Sequence, residues 1–232
     1  MITFKPGEIK KSGDMYFIYG DGGTGKTSLS KLFKGNKVSL MFDGSYNALV
    51  DSDDITLFAF DDLDAPTIQA KVGYLVDKAI VSDKFDVIIL DNVTALQNWV
   101  LENIDNAAKD NRQNYQKMQA WFRELGMKLR RSRKSVLVTA HQIDNGSNGL
   151  DVKGRFKADM NPGTFNALSG PFDIVGRIYK QGGQRFIDLD PELENHAKNR
   201  IDERTKIKAD ELLKPEEKQQ FSEVTEEKKE EN

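Results

Sequence analysis

The sequence has no cysteine and only two histidines among its 232 residues. The absence of cysteine excludes disulfides, thiolate zinc sites and cysteine nucleophiles, and it is typical of the reducing cytoplasm. Two histidines are too few for a histidine-rich metal site. No apolar run reaches the roughly eighteen residues of a membrane-spanning helix, and segment 1–11 lacks the apolar core of a secretion signal. These absences predict a cytoplasmic protein without a membrane partner.

The net charge of −3 is unevenly distributed. Segment 202–232 is rich in Glu and Lys with an acidic excess, whereas the rest of the chain is close to neutral. A near-neutral body argues neither for nor against a nucleic-acid partner, so only local clusters can decide. Because the chain is rich in Lys and Glu from about Pro191 and has few apolar residues after Leu213, we predict a charged tail, helical or disordered, over 191–232.

A glycine-rich loop between an apolar run and a helical segment is the most informative motif. The run Met15–Tyr19 predicts a buried strand, and the loop after it has Walker A spacing, with four residues between Gly20 and Gly25-Lys26-Thr27. Glycines let backbone N–H groups wrap a phosphate, Lys26 can reach the β- and γ-phosphates, and the Thr27 hydroxyl can ligate Mg²⁺. ATP and Mg²⁺ are therefore the predicted cofactors. The predicted nucleotide-binding residues are Gly20, Asp21, Gly22, Gly23, Thr24, Gly25, Lys26, Thr27 and Ser28.

Strand and helix patterns alternate along the rest of the chain. Further apolar runs predict strands at 37–42, 55–60, 85–90 and 135–140. Helical spacing lies between them, and Gly182-Gly183 joins a predicted terminal hairpin. This order predicts an α/β fold with a mainly parallel sheet flanked by helices, a C-terminal β-hairpin and a charged tail. The predicted divisions are an N-terminal arm (1–14), an ATPase core (15–190) and the tail (191–232).

Asp91 ends the apolar run 85–90, beyond the glycine-rich loop. A carboxylate at this point can hold Mg²⁺ opposite Thr27, which is the role of a Walker B acid. The alternative is an ordinary strand-end aspartate in a turn, and the preceding Walker A motif favours the metal role. The strand and helix between the two motifs favour the ASCE group of P-loop ATPases.

Four segments resemble the second half of the RecA core in their order and spacing. They are Asp91–Leu96, Arg123–Arg130, Val136–Gln142 and Gly163–Leu168. The resemblance spans about residues 14–190. Among proteins with this core, the chain most resembles the compact RecA-like proteins of bacteriophages, which are the Sak-type single-strand annealing proteins, also called phage nucleotide-binding proteins. This resemblance implies a RecA-like ATPase that acts in the cytoplasm of a bacterial host.

The resemblance also implies roles for individual residues. Gln142 matches the glutamine that senses the γ-phosphate and signals to a DNA-binding loop. Segments 105–114 and 143–163 correspond to the two DNA loops of the family. Cations with an aromatic ring suit a phosphate backbone and a stacked base, although a solvated loop would also carry lysine and arginine. The candidate DNA-binding residues are Lys153, Arg155, Phe156 and Lys157.

The chain departs from the family at the catalytic base. The RecA core places a water-orienting glutamate two residues after the aspartate that ends its second strand, and this chain has Ser45 there, after Asp43. Asp43 is the candidate replacement, and Lys26 and Gln142 are the other candidate catalytic residues. The shorter side chain of Asp43 predicts weak, Mg²⁺-dependent ATP hydrolysis that DNA could stimulate.

RecA-like assemblies hold the nucleotide between protomers, where a neighbour's cation completes the site. The resemblance therefore implies a ring or filament of identical subunits. Lys180 and Arg185 on the predicted hairpin are the candidate trans-acting cations.

Three functions are compatible with these motifs. The first is an ATP-dependent recombination protein that binds single-stranded DNA, with a single-strand-binding protein as a further partner. The second is a P-loop ATPase that acts on a protein, such as a helicase loader or an assembly factor. The third is a nucleotide-binding regulatory module that barely hydrolyses. The basic loop 143–163 favours the first.

Overall fold

A computed structural model describes residues 3, 5–8, 12–146, 155–191 and 195–213. The strands are β1 (Met15–Tyr19), β2 (Lys37–Met41), β3 (Ile55–Ala59), β4 (Val87–Asp91), β5 (Ser135–Ala140), β6 (Gln142–Asp144), β7 (Phe156–Ala158), β8 (Ile174–Gln181), β9 (Gln184–Asp188), β10 (Lys198–Asn199) and β11 (Lys206–Lys208). The α-helices are α1 (Ile68–Val81), α2 (Val93–Glu102), α3 (Asn111–Ser132) and α4 (Pro162–Ser169). Short 3-10 helices span Thr27–Leu32, Ser45–Leu49, Ala65–Thr67 and Ala209–Glu211.

Nine strands of the described chain form one sheet in the order β11-β9-β8-β1-β5-β4-β2-β3, with β10 also paired to β8. From β8 to β3 the pairs are parallel, whereas β9, β10 and β11 run antiparallel to their neighbours. Parallel strands buried on both faces need continuous apolar runs, which is the pattern in β1, β4 and β5. The predicted α/β fold with a mainly parallel sheet and a terminal hairpin is confirmed.

Alternate residues of β1 divide the core between the two faces of the sheet. Phe17 and Tyr19 belong to the cluster that also holds the buried residues of α1, α2, α3 and α4. Tyr16 and Ile18 belong to a second cluster, which includes Leu29 of the first 3-10 helix and apolar residues from the end of the described chain. The α-helices therefore cover one face, and short helices with the C-terminal segment cover the other.

The predicted tail 191–232 is wrong over its first part. β10 and β11 join the sheet, and Ile207 lies opposite Ile187 of β9. Leu212 and Leu213 are buried in the second cluster. The Lys- and Glu-rich composition of this segment predicted no strand, because its few apolar residues pair and pack with segments elsewhere in the chain. Residues 214–232 lie outside the described part.

The segment predicted as a polar loop over 143–163 also contains regular structure. β6 and β7 pair antiparallel as a small second sheet, and α4 begins at Pro162. The helix expected after the glycine-rich loop is a short 3-10 helix that ends at Leu32. In the part of the chain that can be described, no helix is long and apolar enough to cross a membrane.

Candidate nucleotide-binding site

The glycine-rich loop connects β1 to the first 3-10 helix and forms one wall of a cleft of about 290 Å³. Gly23 and Gly25 have φ angles of +70° and +98°, which side chains rarely adopt. A Cβ atom on Gly22 or Gly23 would meet no atom within 4 Å, so both backbones border open space. The cleft is lined by Gly22, Gly23, Gly25, Lys26, Thr27, Ser28, Asp43, Ser45, Ala48, Asp91, His141 and Arg185.

Lys26 is buried within this loop, and its ammonium donates to the carbonyls of Gly20 and Asp21, both at 2.8 Å. Burial lowers the pKa of Lys26, and nearby carboxylates, chiefly that of Asp91, act in the opposite direction. A desolvated ammonium gains stability from an added anion at short distance. The predicted placement of Lys26 beside a phosphate chain therefore fits the charge balance of the cleft.

Asp91 lies at the end of β4, almost fully buried beside Thr27. Its Oδ1 accepts a hydrogen bond from the Thr139 hydroxyl, whereas Oδ2 has no hydrogen-bond partner among the described residues. Burial raises the pKa of Asp91, and the Thr139 and Thr27 hydroxyls act in the opposite direction. A buried carboxylate oxygen without a donor is a suitable ligand for a hard cation.

The residues of the cleft fit Mg²⁺ bound together with a nucleotide. The described residues contain no cluster of three His, Cys, Asp or Glu side chains that would hold a metal alone. Mg²⁺ commonly uses one or two protein oxygens together with phosphate oxygens and water. Asp91 and Thr27 would supply those protein oxygens, and the metal would neutralise charge on the phosphates.

Asp43 and His141 line the cleft, and both are in contact with the side chain of Asn92. The Asn92 side-chain Nδ2 donates to Asp43 Oδ2 and lies 3.1 Å from His141 Nε2. Its Oδ1 accepts from the Ala95 N–H at 3.0 Å and caps α2. Because Oδ1 is occupied by this cap, the amide nitrogen is the atom that faces Asp43 and His141.

Gln142 bridges the glycine-rich loop to strand β8. Its Nε2 donates to Asp21 Oδ2 at 2.8 Å, and its Oε1 accepts from Arg177 Nε at 2.9 Å. The Arg177 guanidinium lies 3.3 Å from the centre of the Phe156 ring. A continuous chain of polar and cation–π contacts therefore runs from the phosphate loop to β7.

The four candidate DNA-binding residues are in different environments. Lys153 lies outside the described residues, and Lys157 is exposed. Arg155 forms a two-bond ion pair with Asp144, at 2.7 and 2.8 Å, which lowers the Asp144 pKa to about 2. Phe156 is 8% exposed, and both Arg155 and Arg177 lie against its ring. A base could stack on Phe156 only after these contacts are displaced, and the base-stacking role of Phe156 stays a prediction.

The two candidate trans-acting cations lie opposite each other in the hairpin of β8 and β9. Lys180 is exposed and does not line the cleft. Arg185 lines the cleft of its own chain, beside Gly25. The structure therefore places Arg185 beside the phosphate loop of its own subunit, and its role in a neighbour's site stays a prediction.

Sequence analysis did not assign roles to Asn92, Thr139 or Arg177. Asn92 follows the candidate metal ligand directly and is a common helix-capping residue, which was the one local signal available. Thr139 and Arg177 reach the site from strands that are remote in the chain; Thr139 lies within the RecA-like segment Val136–Gln142, but that resemblance assigned it no role.

Residues 12–201 match a protein family described as AAA domain. The matched segment covers more than half of the chain and contains the glycine-rich loop, Asp91, Gln142 and Arg185. No curated protein matches the chain.

Proposed function

This chain belongs to the AAA domain family and has the fold of a P-loop ATPase, and we propose that it is an ATP-binding, weakly ATP-hydrolysing recombination protein of a bacteriophage. In this proposal it binds single-stranded DNA, assembles as a ring or filament, and anneals strands as Sak-type proteins do. A single-strand-binding protein would be a further partner.

One observation carries the proposal. Gln142 contacts the phosphate loop through Asp21 and contacts Arg177, which lies against Phe156 at the start of β7. A terminal phosphate would compete with Asp21 for the Gln142 amide, since both present anionic oxygens. If the Gln142 amide turned from Asp21 to the phosphate, its hydrogen bond with Arg177 would change. The contact of Arg177 with Phe156, at the start of β7, would change with it. ATP binding would thereby control the candidate DNA loop.

Asp43 supports weak hydrolysis in the same cleft. Its carboxylate is held by Asn92 through Oδ2, and Oδ1 accepts from the Ser45 N–H at 3.1 Å. A carboxylate fixed in this way can orient a water molecule and accept its proton. Because both oxygens already accept hydrogen bonds, the Asp43 carboxylate has less free acceptor capacity with which to orient a water molecule, which favours slow turnover.

The direct test is binding of a fluorescent single-stranded oligonucleotide by anisotropy, with and without a non-hydrolysable ATP analogue, across a salt series. We expect the analogue to tighten binding, with a steep salt slope that becomes shallower in a Lys153→Ala/Lys157→Ala variant. Gln142→Ala should keep nucleotide binding and lose the ATP effect on DNA. Gln116→Ala, an exposed glutamine on α3, is the matched control.

The alternative is a P-loop ATPase that acts on a protein partner without direct DNA binding. Two candidate DNA contacts, Arg155 and Phe156, are engaged in internal contacts. The edge near β3 carries exposed apolar side chains, including Leu63 at 86% and Tyr74 at 61% exposure. Failure to bind single strands in every nucleotide state would overturn the recombination proposal and favour this one.

A further inference from the structure

Arg185 places a guanidinium directly over the phosphate loop of its own subunit. A Cβ atom built on Gly25 would lie 2.9 Å from Arg185 Nε and 3.1 Å from its Cδ. The side chain therefore packs against the backbone of the loop at its closest point. The same residue also borders a second depression of about 400 Å³, lined by Gly183, Gln184, Arg185, Lys208, Ala209 and Asp210. Arg185 thus stands between the phosphate cleft and an adjoining space.

The backbone that carries Arg185 is fixed relative to the loop. Arg185 is paired with Lys180 across the hairpin, and β8 pairs in parallel with β1, which leads into the loop. Residues from β8 and β9 are buried together with residues of β1 in the second core cluster. A paired and buried hairpin of this kind positions a side chain more reproducibly than a free loop does.

The guanidinium has no carboxylate partner within 4 Å in the described part of the chain. The acidic residues of the cleft, Asp43 and Asp91, contact Asn92 and Thr139 instead. A planar guanidinium suits two phosphate oxygens at once, and its charge complements a nucleoside polyphosphate. Among the described residues the Arg185 guanidinium has no carboxylate partner, and beside the open cleft it is suited to an anionic ligand.

We propose that Arg185 binds the phosphate chain of the nucleotide in its own subunit and acts in cis. This inference rests on the proposed nucleotide-binding function and adds a cation that the Walker A motif does not contain. It also changes the predicted role of Arg185, because the cation of the hairpin would serve the site beside it and not that of a neighbour. A bound phosphate chain would then contact both the Lys26 ammonium of the loop and the Arg185 guanidinium of the hairpin.

The test is a titration of the full chain with fluorescent ATP and ADP analogues in the presence of Mg²⁺. Arg185→Ala should weaken both by on the order of ten- to a hundredfold, the effect of losing charge-assisted hydrogen bonds to phosphate. Arg185→Lys should recover part of the loss, since it keeps the charge without the planar fork. Arg123→Ala, which removes an exposed arginine on α3, should bind like the wild type.

The outcomes separate this inference from the proposed function. If the wild type binds ATP, Lys26→Ala does not, and Arg185→Ala binds within about twofold of the wild type, the role of Arg185 is overturned while nucleotide binding stands. If the wild type binds no nucleotide, the proposed function fails. A folded Arg185→Ala variant, checked by its circular dichroism and melting temperature, is the condition for both comparisons.

A mixing experiment distinguishes action in cis from action in trans. Lys26→Ala subunits retain Arg185 but have a defective phosphate loop, and Arg185→Ala subunits have the opposite defect. Mixed in equal amounts, they should hydrolyse ATP at no more than the sum of their separate rates. A mixture that clearly exceeds this sum would show that one subunit supplies Arg185 to another, and would overturn the cis assignment.

Discussion

The phosphate-loop side and the β6–β7 side of the molecule use polar residues in opposite ways. On the first, Asp91 keeps a buried oxygen without a donor and Arg185 has no carboxylate partner among the described residues. On the second, Arg155 is paired with Asp144, and Arg177 is engaged by Gln142 and the Phe156 ring. On the phosphate-loop side, charged groups that are incompletely paired among the described residues face an open cleft. On the β6–β7 side, most of the charged groups already contact other residues of the chain.

This difference indicates how a ligand would act on each side. Asp91 Oδ2 and Arg185 already face the cleft, so the rearrangement that nucleotide binding needs is local, chiefly the release of the Lys26 ammonium from the carbonyls of Gly20 and Asp21. A partner at β6–β7 would first have to displace existing ion pairs and ring contacts. Coupling through Gln142 would let a bound nucleotide lower the free-energy cost of displacing these contacts. Each of the following variants tests one part of this difference between the two sides.

Replacing Asp91 by asparagine should have the largest effect. We expect Mg²⁺-dependent hydrolysis to fall by at least about 100-fold, because loss of a metal ligand removes several kcal/mol of transition-state stabilisation. Nucleotide affinity in EDTA should stay close to that of the wild type. Steady-state phosphate release and fluorescent-nucleotide titration measure the two quantities. Retained Mg²⁺-dependent turnover would remove Asp91 from the metal site.

The same substitution should stabilise the metal-free protein by about 1 kcal/mol, since it removes a buried, incompletely hydrogen-bonded charge. Because burial raises the folded-state pKa of Asp91 above its unfolded value, the ionised form opposes folding at neutral pH. The advantage of Asp91→Asn should therefore shrink as the pH falls and the wild-type carboxyl becomes protonated. Thermal melts at several pH values in EDTA check the sign.

Phe156→Ala should mainly cost stability. The ring is buried against two guanidinium groups, and truncation of a buried phenylalanine costs about 3 kcal/mol. Urea unfolding followed by circular dichroism measures this loss. Ile143→Ala on the facing strand is the control, because Ile143 is 45% exposed and should cost far less. Unchanged stability together with lost DNA binding would support the predicted base-stacking role of Phe156 and contradict the contrast between the two sides.

Asn92→Ala should produce an intermediate effect. It removes the cap of α2, which costs about 1 kcal/mol, and releases both Asp43 and His141. We expect kcat to fall by about tenfold with little change in nucleotide affinity, since proton transfer to a positioned group contributes this much or more. Asn92→Asp keeps the cap acceptor but cannot donate to Asp43. If Asn92→Asp recovered full kcat, Asn92 would be only a capping residue.

Lys180→Ala should have the smallest effect. Lys180 is exposed on the hairpin and does not line the cleft, so nucleotide affinity and turnover of the isolated subunit should change by less than about twofold. Nucleotide titration at low protein concentration measures this. A large loss that appears only at high protein concentration would support the predicted role of Lys180 in a neighbour's site and would contrast with Arg185.

The sequence alone predicted those parts of the site whose residues are neighbours in the chain. The glycine-rich loop, Lys26 and Thr27 form one contiguous motif, and Asp91 follows directly from an apolar run. The alternation of apolar runs and helical spacing was also sufficient for the parallel sheet. These features depend on local periodicity and spacing, which a single chain displays directly.

The rest depends on contacts between remote segments. Asn92 and Asp43 meet across 49 positions, and Gln142 meets Asp21 across 121. The location of Arg185 follows from the pairing of β8 with β1, and no spacing in the sequence reports that pairing. β11 was missed because it has a single apolar residue, Ile207, and one apolar residue does not predict a strand without knowledge of its pairing with β9.

The position of β1 also determines when the phosphate loop can form during synthesis. β1 is the first strand of the sheet to leave the ribosome, yet its two neighbours are β5 and β8, from the second half of the chain. Pairing of such distant segments is slow, and exposed strand edges invite aggregation in the meantime. The strand that leads into the loop therefore gains both of its neighbours only after Arg177 of β8 has emerged. A nascent chain that already retains ATP would thus be one whose sheet has closed around its first strand.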